Sequence, residues 1–225
     1  MNKLACVSIA SLIVLAGCNG SDKPNKMVTY DITVINASNN QPLSPLAVVL
    51  HKDNYIAWEL GAPASMGLEE LAESGSPMAF LQEFGDEAYE SVAGTGIIPP
   101  GGSETVSLSI VDSTTPLLSV ATMMVNTNDA FAGITGKMLK HLETGTVYSM
   151  ALPIYDAGTE ANSESAASIP GPAAGGEGLN TARDDFGFVA MHPGVVTADD
   201  GLSSSTLDES HRFASGSVIL QISKQ

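Results

Sequence analysis

Cysteine is almost absent from this chain: Cys6 and Cys18 are the only two in 225 residues. Both fall near the start, so the rest of the chain holds no thiol pair. Core packing, or a metal, must therefore hold the fold in place of disulfides. Basic residues are also scarce. Nine Lys and Arg face 25 Asp and Glu, a formal net charge of −16. Nucleic-acid binding needs a basic footprint, and docking on anionic lipid needs clustered cations; the balance argues against both. An acidic surface favours solubility and the capture of cations. Long hydrophobic runs are missing too. The apolar run from Leu4 to Ala16 is interrupted by Ser8 and Ser11 and falls short of the roughly 20 residues that cross a bilayer.

That run follows Lys3 and ends in Leu15-Ala16-Gly17-Cys18, a pattern that resembles the lipobox of bacterial lipoprotein signal peptides. The resemblance implies cleavage before Cys18 and acylation of its thiol and freed amine. Each buried methylene adds about 0.8 kcal/mol, so several acyl chains anchor a protein firmly. Residues 1–17 are read as a lipoprotein signal peptide and set apart from the fold. Asn19, where an aspartate would favour retention at an inner membrane, points to an outer membrane if the cell has one. Residues 18–27 read as the lipidated cysteine and a flexible polar tether. Residues 28–225 are then one domain, long enough for a sizeable core.

Within that domain β-branched alternation dominates. Residues 28–35 alternate with Tyr30, Ile32 and Val34 on one face, and 104–111 with Val106, Leu108 and Ile110. Residues 46–51 and 117–125 are more continuously apolar, as in strands buried on both faces. Further strands are expected at 147–154, 186–191 and 217–222. The period changes between them. Ser65 caps a helix carrying Leu68, Leu71 and Ala72, which Gly75 stops. Ser76-Pro77 then starts a second with Phe80, Leu81 and Phe84. The stretch 156–185 shows no period and reads as a long loop. Short strands with long loops predict an all-β fold, an antiparallel β-sandwich with two short inserted helices.

The acidic loops carry the candidate chemistry. Asn126-Thr-Asn-Asp129 follows one strand end, and Tyr155-Asp-Ala-Gly-Thr-Glu160-Ala-Asn-Ser-Glu164 follows another. Ca2+ takes six to eight oxygen ligands, from carboxylates, amides, carbonyls and water, and loops at one end of a sandwich supply such a set. Gly158 permits a tight turn that brings Asp156 and Glu160 to one side. The same residue types also dominate ordinary turns. The peptides Asn126-Thr-Asn-Asp-Ala-Phe-Ala-Gly133 and Tyr155-Asp-Ala-Gly-Thr-Glu160 resemble the two best-marked motifs of the spondin domain family. Ala62-Pro-Ala-Ser65 and His192-Pro193-Gly194 add to the likeness, which runs from about Thr29 to Ser223. The resemblance implies a C2-like β-sandwich with calcium bound at edge loops. It implies Asp129, Asp156 and Glu160 as metal ligands, with Asn128 and Glu164 as further ones. Glu160 stands where animal members tend to have Asp, a longer arm with a different reach.

No Gly-x-Ser-x-Gly elbow, His-Glu-x-x-His or phosphate-cradling loop occurs. Asp199-Asp200-Gly201 lacks EF-hand spacing. His51, His141, His192 and His211 show no zinc spacing and read as surface or hydrogen-bonded residues, His192 within a strand-capping turn. Trp58 reads as a packing residue. The functional expectation is a lipid-anchored, non-enzymatic module of the cell envelope that binds calcium and a protein or glycan partner. The alternatives are a hydrolase working through the same carboxylates and a purely structural envelope component.

Overall fold

The structure is a computed structural model that describes residues 26–225. The expected signal peptide, Cys18 and nearly all of the tether lie outside the described residues. In chain order the elements are β1 (Met27–Asn36), β2 (Ala47–His51), α1 (Met66–Ser74), α2 (Met78–Glu83), β3 (Ala88–Ala93), β4 (Ser103–Val111) and β5 (Leu117–Met123). They continue with β6 (Ala130–Met138), β7 (Val147–Ala151), β8 (Ile154–Asp156), β9 (Ala190–Met191) and β10 (Val218–Lys224). Two antiparallel sheets result, β4-β1-β10-β7 and β3-β2-β5-β6-β8-β9. This is the expected all-β sandwich.

Alternation sets the register of the smaller sheet. Ile32 lies opposite Val106 on one side and Ile222 on the other, and Tyr30 lies opposite Leu108. A slip of one residue would turn all of them to solvent. These side chains meet Val48, Leu50, Leu118 and Val120 of the larger sheet in one buried cluster. Full burial of each large apolar side chain contributes about 1.5–3 kcal/mol.

The larger sheet is covered on its other face as well. Val49 of β2, Ala121 of β5 and Phe131 of β6 pack against Leu68, Leu71, Phe80 and Phe84 of the helices. Burial on both faces explains the continuous apolar runs of β2 and β5. Trp58 joins this second core, with ring centroids 5.1 Å from Phe131 and 5.6 Å from Tyr155. His51 is buried in its strand; Nδ1 lies 2.7 Å from the Lys52 carbonyl and Nε2 2.8 Å from Ser119 Oγ. Desolvation lowers its pKa, so it is a neutral packing residue.

α1 begins and ends where expected. Ser65 Oγ accepts from the Leu68 amide, and Gly75, in the left-handed region at φ 74°, closes α1 by donating to the Leu71 carbonyl. Pro77 sits immediately before α2. Glu83 of α2 reaches back to α1, accepting from Ser65 Oγ and from the Gly67 amide, each at 2.6 Å.

Three strand expectations change. The stretch 147–154 divides at Leu152-Pro153: β7 belongs to the small sheet and β8 to the large one. Proline has no N–H for the ladder, so the chain can change sheets there. The strand expected at 186–191 shrinks to Ala190–Met191. Gly187 has φ 76° and Phe186 is 76% exposed, so no apolar face pairs. β3 and β6 were not expected. β6 contains Gly133 and Gly136 and lacks alternation, while β3 is a largely exposed edge.

Gly67 marks the closest approach of the two helices. A Cβ there would lie 2.7 Å from the Phe80 nitrogen and 2.8 Å from the Ala79 carbonyl carbon, both backbone atoms. Gly67→Ala is expected to destabilise the fold by about 1–3 kcal/mol, the usual cost of overpacking, despite alanine's better helix propensity. Urea denaturation measures it; an unchanged midpoint would contradict this packing.

Candidate metal centre

The turn between β5 and β6 is built by its own side chains. Thr127 Oγ1 donates to the Met124 carbonyl at 2.6 Å and accepts from the Ala130 amide at 3.0 Å, which closes the turn around Asn128 and Asp129. Asn126 is buried and fixed on three sides, by Gln41 Oε1, the Asn40 carbonyl and the Ala173 amide. Asn128 is buried too. Its Nδ2 donates to Ser168 Oγ, and its Oδ1 accepts from the Glu164 amide. Two residues of the Asn126–Asp129 peptide therefore bind loops, which leaves Asp129 as the carboxylate delivered inward.

Asp129 is 0% exposed. Its Oδ2 accepts from the amides of Thr159 and Glu160, at 2.8 and 3.2 Å, and from Thr159 Oγ1 at 3.3 Å. Its Oδ1 is buried with no hydrogen-bond partner. β8 runs beside β6, with Asp156 opposite Ala130. Asp156 Oδ1 accepts from the Gly158 amide at 2.8 Å, and Oδ2 from Asn162 Nδ2 at 2.6 Å. The tight turn is enforced at Gly158, whose φ is 69° and where a Cβ would stand 2.2 Å from the Phe188 carbonyl oxygen. That contact brings in the segment carrying Asp185. One carboxylate oxygen each from Asp129, Asp156 and Asp185 lies within 4.8 Å of the others. Asp185 Oδ2 is likewise buried and without a partner.

Of the residues singled out from sequence, Asp129 and Asp156 come together. Glu160 lies beside the trio: its amide holds Asp129, while its carboxyl group interacts with Asn128 and feels the charge of Glu73. Glu164 is buried with φ 55°; Oε1 accepts from the Val196 amide and Oε2 has no partner. The charge of Asp156 acts on it. Asn128 donates to Ser168 Oγ, holds the Glu164 amide and contacts the Glu160 carboxyl group. Cys18 lies outside the described residues.

Three participants escaped the sequence reading. Asp185 sits in a stretch without periodicity, and its only sign there is the Asp184-Asp185 doublet beside two phenylalanines. Glu73 is 0% exposed and accepts from the Asn180 amide at 2.7 Å, although it is not among the apolar residues Leu68, Leu71 and Ala72 that mark the helix in the sequence. His192 reaches the site through Asn162.

Burial first, and then the charge of Asp156, pushes the Asp129 carboxyl up to about 7. Burial raises Glu160 to about 8 and Glu164 to about 7. Asp185 moves upward for the same two reasons as Asp129. Among the described residues no lysine, arginine or histidine forms an ion pair with the trio. Arg183, the nearby guanidinium, is taken by Glu69 and the Ala64 carbonyl. Clustered carboxylates with free buried oxygens and no basic partner fit a hard divalent cation, for which oxygen donors are the natural ligands.

The fold and this centre define a β-sandwich with an acidic site where β6 and β8 run side by side. Residues 36–172 match the family model Spondin_N, and the chain belongs to that family. It is similar to Spondin-1 of Rattus norvegicus and of Homo sapiens, each 31% identical over 120 residues, which is 49% of this chain. The match covers only 15% of the length of those relatives.

The raised carboxyls make the metal-free fold sensitive to pH. Unfolded, they ionise near pH 4; folded, Asp129, Glu160 and Glu164 do so at about 7 to 8. Between those limits the folded chain holds more protons, so stability falls as pH rises. The metal-free melting temperature is expected to decline from pH 5 to pH 8. Asp129→Asn keeps an oxygen for the Thr159 and Glu160 amides and removes one charge, so it should flatten that decline. A wild-type profile that rises across the window would contradict it.

Proposed function

We propose that the centre binds Ca2+ and that the protein is a lipid-anchored, non-enzymatic binding module of the cell envelope. The observation that carries the metal reading is the set of free buried oxygens: Asp129 Oδ1, Asp185 Oδ2 and Glu164 Oε2 have no partner within the protein. Asp129, Asp156 and Asp185 would hold the ion. Glu164 and Glu160, each with one free buried oxygen, are the next ligands. Bound calcium would supply positive charge that lets these groups ionise together and stiffens the loops carrying them.

Binding is favoured over turnover because Asp129 and Asp156 are 0% and 4% exposed, which leaves no room for a substrate above them. Membership of the spondin family supports an extracellular binding role. Cys18, in its lipobox-like context, would supply the anchor; among the described residues no helix is long and apolar enough to cross a membrane. The lack of an aspartate after Cys18 supports an outer membrane. The partner would be a protein or glycan of the envelope or beyond it.

Calcium should raise the melting temperature of the wild type through mass action, worth about 2.7 kcal/mol at a hundred times Kd. Asp156→Ala should abolish the rise. Equal curves with calcium and with chelator in the wild type would sink the metal reading. The anchor is tested separately: Cys18→Ala should move the protein from the membrane fraction to the soluble fraction. Continued sedimentation of that variant with membranes would rule out a lipid on Cys18.

A further inference from the structure

His192 touches none of the three aspartates, yet its ring has every polar contact specified. The Gly194 amide donates to Nδ1 at 3.0 Å. Nδ1 must then carry a lone pair, so the proton of the neutral ring sits on Nε2. Nε2 lies 3.2 Å from Asn162 Oδ1 and donates to it. This sets the orientation of the Asn162 amide, whose Nδ2 donates to Asp156 Oδ2 at 2.6 Å. A flipped amide would turn its oxygen toward the carboxylate and its NH2 toward the imidazole N–H, opposing both contacts. The direction of donation is therefore fixed along the row from Gly194 through His192 and Asn162 to Asp156.

The ring cannot easily swing away. The His192 amide donates to the Ile154 carbonyl, two residues before Asp156. The Phe213 ring packs on the imidazole at 5.2 Å between centroids. A rigid edge of the sheet thus holds one end of the row, and the carboxylate stands at the other.

We infer that His192 is a positioning residue for the cation centre, acting on Asp156 through Asn162. The inference rests on the calcium reading of that centre. With Oδ1 held by the Gly158 amide and Oδ2 by Asn162, the Asp156 carboxylate cannot rotate, and its remaining lone pairs keep one direction. Without His192, Asn162 is free to turn and Asp156 loses that restraint. Asn162 is the direct outer partner of Asp156, and loss of such a partner typically weakens metal affinity 10- to 100-fold; loss of His192 acts through it.

The test compares His192→Phe and His192→Gln by calorimetric titration with calcium alone. Phenylalanine keeps the packing on Phe213 and removes the donor. Glutamine places an amide nitrogen near the former Nε2. The expected result is a Kd raised about tenfold or more in His192→Phe and largely restored in His192→Gln, with metal-free melting temperatures that do not follow the Kd order. Nitrogen NMR on the metal-free wild type should show His192 as the Nε2–H tautomer. An unchanged Kd in His192→Phe, or an Nδ1–H ring, would overturn the inference while leaving the calcium reading intact. A wild type that takes up no calcium overturns both.

Discussion

Like charges repel, and the repulsion grows when water is removed. Asp129, Asp156 and Asp185 are brought together under that constraint, with the first two buried. The surrounding protein compensates these groups unequally, leaving one oxygen of Asp129 and one of Asp185 without a partner. Backbone amides of 158–160 and the Asn162 amide satisfy one side of Asp129 and both oxygens of Asp156. The oxygens left over can take a proton or share a cation. Burial and the neighbouring charge favour the proton on Asp129 and Asp185, whose carboxyls move upward; a divalent cation would remove the need for it. The loops carry small residues and turn-forming amides where a stable core would place apolar groups, which is how a site differs from a packing defect.

The sandwich makes this arrangement by routine means. Burial on both faces holds the large sheet rigid, with the small sheet on one side and the two helices on the other. β5 and β6 form a hairpin whose turn exposes Asp129 to the neighbouring loop. Pro153 moves the chain from the small sheet to the large one, and three residues later Asp156 lies alongside β6. Removing that crossover would leave 147–156 in one sheet and Asp156 far from Asp129. The segment before β9 then closes the third side, because Gly158 admits the Phe188 backbone at a distance no other residue permits.

Much of this was legible in the sequence, and the limits have physical causes. Residues 28–35, 104–111 and 217–222 showed a period of two because each has one face in a core and one in solvent. α1 was legible at both ends because Ser65 and Gly75 are the residue types that satisfy helix termini. β6 was hidden because its first half, Ala130–Gly133, is buried on both faces and its second half is only partly buried, so it carries no alternation. Asp129 and Asp156 stood out because turn peptides of that composition resemble family motifs. Asp185, Glu73 and His192 did not stand out as site residues, since each joins the centre through tertiary contacts spanning 29 or more residues, and local spacing records none of them.

The central claim is that the free carboxylate oxygens beside β6 and β8 share one divalent ion. Its most direct test is a crystal grown in calcium, with anomalous diffraction used to locate the ion. The account predicts one peak bounded by Asp129 and Asp156, with ligand oxygens about 2.3–2.6 Å away. Well-ordered density for these side chains with no ion between them, at saturating calcium and neutral pH, would contradict it.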